Sequence, residues 1–181
     1  MIKQLQGERV YLRHDLPEDV EVHLRAMTDP EMRKLTGTKP LFTRASVEEW
    51  LTRRASDPTR VSMAICLQET DELIGELELL EIDHINRNAY IRIALNGDAH
   101  LGKGYGTEAM RLLLDYGFGT LGLHRVELNV FSYNARAQKS YAKLGFQSEG
   151  VQRQALYYDH EWHDSIIMGV LEHEFRAAMG K

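Results

Sequence analysis

The chain has little cysteine, little proline and no block of like charge: one Cys, four Pro and a net charge of −5 in 181 residues. The lone Cys66 excludes a disulfide framework, and its place in the apolar run from Val61 to Leu67 reads as a small buried hydrophobe. No apolar run approaches the roughly 18 residues a bilayer-spanning helix requires. The start Met1-Ile2-Lys3-Gln4 has no apolar core of a secretory leader, so a cytoplasmic location is expected. With acids dispersed among bases, neither a nucleic-acid groove nor an anionic membrane surface is indicated, and a small cationic partner fits slightly better. The 43% apolar and 27% charged residues exclude disorder and fibrous architecture. The length suits one domain over residues 1–181, large enough to bury a core without metal staples.

Patterning supplies the elements. Glu8 to Arg13 alternates as a first strand, and a helix starts at Leu16-Pro17-Glu18-Asp19. Asp29-Pro30-Glu31 opens another helix, and Ser46-x-x-Glu49 reads as the capping box of a third. Val61 to Leu67, Leu73 to Glu81 and Ala89 to Leu95 then form an antiparallel meander. A helix with Met110, Leu113, Leu114, Gly117, Phe118 and Leu121 on its buried face follows, then a strand from Arg125 to Val130. A further helix runs from Ala135 to Leu144 and is stopped by Gly145. Strands from Phe146 and from Asp164 to Leu171, joined around Tyr157 to His163, and a terminal helix over residues 172–178 complete the chain.

Chemistry is first suggested by Gly102-Lys103-Gly104-Tyr105-Gly106-Thr107, where alternate glycines let the backbone turn and aim N–H groups at one point just ahead of a helix N-terminus. Such a nest suits a pyrophosphate. The segment is not a P-loop. Gly104-x-Gly106-x-x-Ala109 matches the dinucleotide fingerprint in letters, but a meander precedes it and the alternation behind it is too short for a doubly wound sheet.

Asn134-Ala135-Arg136-Ala137-Gln138-Lys139-Ser140-Tyr141-Ala142-Lys143-Leu144-Gly145-Phe146, taken with Leu101 to Gly106, resembles the two signature segments of the GNAT N-acetyltransferases. These are Arg/Gln-x-x-Gly-x-Gly/Ala and Asn-x-x-Ala-x-x-x-Tyr-x-Lys-x-Gly-Phe. The resemblance spans about residues 8–175 and is strongest to the branch of ribosomal-protein-alanine and spermidine acetyltransferases. It implies a mixed α+β fold, with a mostly antiparallel, splayed central sheet of about seven strands flanked by helices. It further implies transfer of an acetyl group from acetyl-CoA to a primary amine of a polyamine, amino acid, peptide N-terminus or drug. A homo-oligomer is compatible with it. Acetyl-CoA would lie along Ile93, Ala94 and Leu95, with its pyrophosphate on Leu101, Gly102, Lys103, Gly104, Tyr105, Gly106 and Thr107. Asn134 would bond the pantetheine, and Tyr141 would protonate the departing thiolate.

Two departures from the family pattern stand out. Leu101 replaces the Arg or Gln that heads the first segment, so the backbone N–H groups carry that site. Tyr90 stands where many relatives have Glu, which leaves Glu78, Glu81, Asp83 and His84 as candidates to accept the ammonium proton, directly or through water. These departures also motivate an alternative reading, a catalytically weak acyl-CoA sensor on the same fold. His160-Glu161-Trp162-His163-Asp164 contains possible metal ligands, but strand alternation sets the two histidines on opposite faces and no metal site is expected.

Overall fold

The computed structural model describes residues 2–180. Two short strands, β1 (Leu5–Gln6) and β2 (Val10–Arg13), lead through a 3-10 turn at Pro17–Asp19 into three helices, α1 (Val20–Thr28), α2 (Pro30–Thr36) and α3 (Arg44–Ser56). The meander follows as β3 (Val61–Leu67), β4 (Leu73–Asp83) and β5 (Asn88–Leu95). Then come α4 (Tyr105–Gly119), β6 (Arg125–Phe131), α5 (Ala135–Ala142), the hairpin β7 (Gln147–Tyr158) and β8 (Glu161–Leu171), and α6 (Glu172–Ala178). The strands form one eight-stranded sheet in the order β1-β2-β3-β4-β5-β6-β8-β7. The strand beyond the expected seven is β1, which lies ahead of the expected first strand and pairs back on it in a small hairpin, with Leu5 opposite Leu12.

Local chemistry explains most boundaries. The Asp29 carboxylate accepts the Met32 N–H at 2.9 Å, Pro30 occupies the first turn of α2, and Gly37 at φ 65° ends it. The capping box of α3 lies one turn earlier than the spacing predicts. Ser46 N donates to Thr43 Oγ1 at 3.2 Å and Thr43 N donates to Ser46 Oγ at 2.9 Å. The longer helix sets Arg44 beside Glu48 and buries Val47 completely. Helix α5 stops at Ala142, two residues short of the expected end. Its stop depends on Gly145 at φ 93°, where a Cβ would sit 3.0 Å from the Glu174 carbonyl oxygen.

The main core gathers one face of the sheet and the apolar stripe of α4, from Ala109 and Met110 through Leu113 and Leu114 to Phe118. Helices α1 and α3 pack on each other over the opposite face. Every neighbouring strand pair is antiparallel except β5 and β6. That parallel pair joins only Asn88–Tyr90 to Arg125–Glu127, so beyond Tyr90 the two strands part and β5 keeps an open edge.

Candidate active site

The parted strands bound a cleft of about 1000 Å³. The open edge of β5 from Ile91 to Leu95 forms one wall, and Leu128 to Phe131 of β6 with Asn134 to Tyr141 of α5 forms the other. One end is closed by the glycine loop and the opposite end by α1, α2 and Trp50 of α3.

At the loop end, Gly102 and Gly104 adopt φ 74° and 85°, a region closed to most side chains. Gly106 serves a different need. A Cβ there would come within 3.4 Å of Leu95 and 3.5 Å of Ile93, so its hydrogen lets α4 begin against the open edge of β5. The first turn of α4 directs unpaired N–H groups and the positive end of its dipole toward this end of the cleft. Arg136 and Lys139 of α5, and Lys143 just after it, line the cleft as well.

A clamp that the sequence reading missed holds this loop. Arg9 donates from Nη1 to the Lys103 carbonyl at 2.8 Å and from Nε to Glu108 at 2.9 Å, and Glu108 also accepts the Arg9 N–H. Burial pushes the Glu108 carboxyl up, but the N–H groups of Arg9 and Val10 and the Arg9 guanidinium outweigh it and hold the group below the usual carboxylate range. Separation by 99 residues hid the pair from sequence reasoning.

Of the residues singled out from sequence, Ile93, Ala94, Leu95, Leu101, Gly102, Gly104, Gly106, Thr107, Asn134 and Tyr141 all line the cleft. Lys103 and Tyr105 do not. The exposed Lys103 contributes its carbonyl to the Arg9 clamp, and Tyr105 packs against the core. Asn134 spends its Oδ1 on the Ala137 N–H at 3.1 Å as the N-cap of α5. Tyr141 both touches the core and faces the cleft, and burial, with the nearby phenol of Tyr90, pushes its hydroxyl up to about 12. At neutral pH it therefore carries its proton. Asn96 lines the same cleft, and its buried Nδ2 has no hydrogen-bond partner among the described residues.

The proton-acceptor candidates are sorted by position. Glu78 alone of the four lines the cleft, and it is 6% exposed, not a solvated strand end. Exposed Glu81 and His84 lie outside the cleft lining. Asp83 is committed to the turn, where it accepts the N–H groups of Ile85 and Asn86. Tyr90 is held protonated by burial, although the Asn129 N–H beside it works the other way.

Glu76, two residues before Glu78 on the same face of β4, also lines the cleft. Behind it lies a buried ionic cluster in which Arg54 meets Glu76 at 2.5 Å and Glu78 at 3.3 Å, and His23 meets Asp15 at 2.9 Å and Glu76 at 3.5 Å. Trp50 covers it, with the Arg54 guanidinium 4.1 Å from its ring centre and His23 at its edge. The alternation of acids on β4 was the available signal for Glu76. Its partners on α1 and α3 left none.

At the β7–β8 hairpin, the turn falls at Asp159–His160, and His163 packs edge-on against Tyr133 at 4.9 Å. Among the described residues no three His, Cys, Asp or Glu side chains are grouped to hold a metal ion, and no helix is long and apolar enough to cross a membrane.

The sequence model of the acetyltransferase (GNAT) domain matches residues 9–147. N-acetyltransferase p20 of Bacillus licheniformis is 36% identical over 156 residues, 84% of this chain and 86% of that protein. Spermidine N(1)-acetyltransferase of Escherichia coli K12 is 35% identical over 106 residues, 59% of this chain and 56% of that protein. Among solved structures, spermidine N-acetyltransferase from Vibrio cholerae, in complex with CoA and spermine, superposes with a TM-score of 0.85 at 25% identity, covering 92% of this chain and 97% of that one.

Proposed function

Because the chain belongs to the GNAT acetyltransferase family, we propose that its cleft holds acetyl-CoA against the open edge of β5 and admits a primary amine from the end bounded by α1, α2 and β4. The observation that carries this reading is the parting of β5 from β6 after Tyr90, directly beside the glycine loop. We read residues 1–181 as one acyltransferase domain, since a single sheet and one main core cluster run through the described part.

The protein's groups fit this donor. A strand edge with unpaired N–H and C=O groups matches the amide-bearing pantetheine arm. Glycine N–H groups, the α4 dipole and the cations of α5 match its phosphates, and the orphaned Nδ2 of Asn96 offers a further donor along the way. Leu101 contributes only apolar surface, so the backbone carries the loop's side of the phosphate contact. The bound donor supplies an activated acyl group, and transfer makes a C–N bond and breaks a C–S bond.

What the chain adds is proton management. One proton must leave the amine nitrogen and one must reach sulfur. Tyr141, protonated at neutral pH and set in the cleft wall, holds a proton at Oη for the sulfur side. A thiol near 8.5 is a stronger acid than a phenol near 12, so Tyr141 serves as a hydrogen-bond donor to developing negative charge on sulfur and keeps its proton, and the proton released by nitrogen balances the thiolate. On the acceptor side, Glu76 and Glu78 are the carboxylates that line the cleft.

The test combines thermal unfolding and thiol release. Acetyl-CoA at about ten to a hundred times its dissociation constant should stabilise the fold by about 1.4–2.7 kcal/mol. A nicotinamide dinucleotide should give no shift. A screen of polyamines, amino acids, aminoglycosides and N-terminal peptides then identifies the acceptor. Stabilisation by the dinucleotide and not by acetyl-CoA would refute the reading.

A further inference from the structure

The register of β4 and β5 decides which charges face the incoming amine. Glu76 lies opposite Ala94 and Glu78 opposite Arg92, so these side chains share one face of the sheet, the face that bounds the acceptor end. The carboxylates there are unequal. Glu78 is ringed by three guanidiniums, Arg60 at 2.7 Å, Arg54 at 3.3 Å and Arg92 at 3.8 Å, and has no acidity to spare for a substrate cation. Glu76 gives Oε2 to Arg54 and His23, and its Oε1 accepts no hydrogen bond among the described residues.

The cations are unequal too. Arg54 and Arg60 are tied to acids behind the cleft, whereas Arg92 keeps 64% of its side chain accessible, with Glu78 as its one ionic partner among the described residues. Arg33, also in the lining, has its guanidinium on the carbonyls of Met27, Lys39 and Pro40, which leaves its charge unneutralised. The acceptor end thus offers a carboxylate oxygen that accepts no hydrogen bond among the described residues, on Glu76, and an accessible guanidinium, on Arg92. A polycation has no use for the accessible Arg92 guanidinium, whereas an amine that carries its own anionic group can engage both.

We propose that the acceptor is an amine bearing its own anionic group, an amino carboxylate in the simplest case, with its ammonium on Glu76 and its carboxylate on Arg92, the specificity-determining residue. This rests on the acyl-transfer reading and adds the substrate class. Arg presents a planar fork of donors that matches a carboxylate or phosphonate two bonds at a time, so Arg92 recognises the oxyanion and not merely its charge. Glu76 is held ready by Arg54 and His23, which fix its second oxygen.

The test is a specificity comparison by thiol release. Wild type, Arg92→Gln and Arg92→Glu are assayed with acetyl-CoA against a panel of L-amino acids, the amines left by removing their carboxyl groups, the matching aminophosphonates, and spermidine and spermine. Wild type should favour an amino carboxylate over its decarboxylated partner by about 10- to 100-fold in kcat/KM, the worth of one charge-assisted contact. Arg92→Gln should collapse that ratio, chiefly through KM, and Arg92→Glu should invert it toward the amines. The acetyl-CoA shift in melting temperature, kept in both variants, shows that they are folded and loaded. Wild-type preference for a polyamine or a decarboxylated amine, no turnover of any amino carboxylate by protein that binds acetyl-CoA, or a ratio unchanged in Arg92→Gln would each overturn the proposal. Polyamine turnover leaves acyl transfer standing and removes only this substrate class, whereas failure to bind acetyl-CoA removes both.

Discussion

Replacing Tyr141 by Phe deletes one proton and almost nothing else. The ring stays between the core and the cleft, with Phe146 at a centroid distance of 6.0 Å, so neither folding nor CoA affinity should change much. The size of the catalytic loss follows from the hydroxyl's acidity. With the phenol pushed up to about 12, it is fully protonated throughout the usual assay range, and it cannot hand its proton outright to a thiolate whose reference value is near 8.5. What it can do is donate a hydrogen bond to charge that develops on sulfur. Hydrogen bonds to charged groups contribute about 1.5–3 kcal/mol, or about 10- to 150-fold in kcat, the low end of general-acid effects. The pH dependence is the sharper part of the prediction. Because Tyr141 titrates far above the assay range, the variant's kcat profile between pH 6 and about 10 should be the wild-type profile lowered by a constant factor. Calorimetry for CoA affinity and kcat across pH with the amine found by the screen supply both readouts. Turnover within about threefold of wild type at every pH would make Tyr141 a packing residue. A wild-type alkaline limb that vanishes in the Phe variant would show that the phenol titrates within the assay range, and the reasoning from burial would be wrong.

Gly104→Val and Gly106→Val should each weaken CoA binding at least tenfold by calorimetry while Lys103→Ala changes it little, because Gly104 sits at φ 85° and Gly106 abuts Ile93, whereas the exposed Lys103 side chain lies outside the cleft lining. Arg54→Met leaves Glu76 with His23 as its one ionic partner among the described residues, while Glu78 keeps Arg60 and Arg92; breaking a buried pair costs about 3–5 kcal/mol, which for a domain of this length lowers Tm by roughly 6–20 °C in a thermal melt. His23 carries a pH signature: burial pushes its pKa down, but the Asp15 hydrogen bond and the charge of Glu76, opposed by Arg54, leave it raised. A raised histidine contributes stability that is complete below its unfolded value near 6.5 and is lost as pH rises through its folded value. Urea unfolding of wild type should therefore show that decline, and His23→Gln should flatten it; Asp15, held low by His23 and Arg54 against the upward push of burial, contributes in the opposite window, losing its share as pH falls through its folded value.

The sequence was informative wherever function and fold depend on neighbours in the chain. The glycine loop, the start of α5 at Ala135 and the stripe of α4 are local patterns, and each lies where its spacing predicts. Boundaries failed where a second local solution competed. Thr43 and Ser46 can both cap α3, and burial of Val47 chose the earlier one. The hairpin of β1 was lost because two residues leave no period to read. The acceptor wall failed for a different reason. Glu76 carries meaning only through Arg54 and His23, which reach it from helices 22 and 53 residues away. Charge at such a wall is a sum over elements, and no single segment contains the sum.

The two signature segments meet for a topological reason. In a sheet that is otherwise antiparallel, β5 and β6 run parallel, so both must be followed by a connection at the same end of the sheet. After β5 that connection is the glycine loop and α4; after β6 it is Asn134 and α5. Each begins a helix at the carboxyl end of its strand, so two helix N-termini, one capped by Gly104 and one by Asn134, converge on the gap between the strands. Parallel pairing is the weaker kind, and strand twist works against it as the strands lengthen. The pair holds for the three residues up to Tyr90 and then opens. Mouths of this kind, outside the carboxyl ends of neighbouring parallel strands, are where open sheets bind ligands. The cleft, its glycine loop and the place of Tyr141 in its wall thus derive from one crossover, the passage of α4 between β5 and β6. On the proposed reading, variation confined to α1, α2 and the face of β4 and β5 that Glu76 and Arg92 share should change the acceptor while leaving the glycine loop in place, and exchange of those two residues should alter acceptor choice without altering the acetyl-CoA shift in melting temperature.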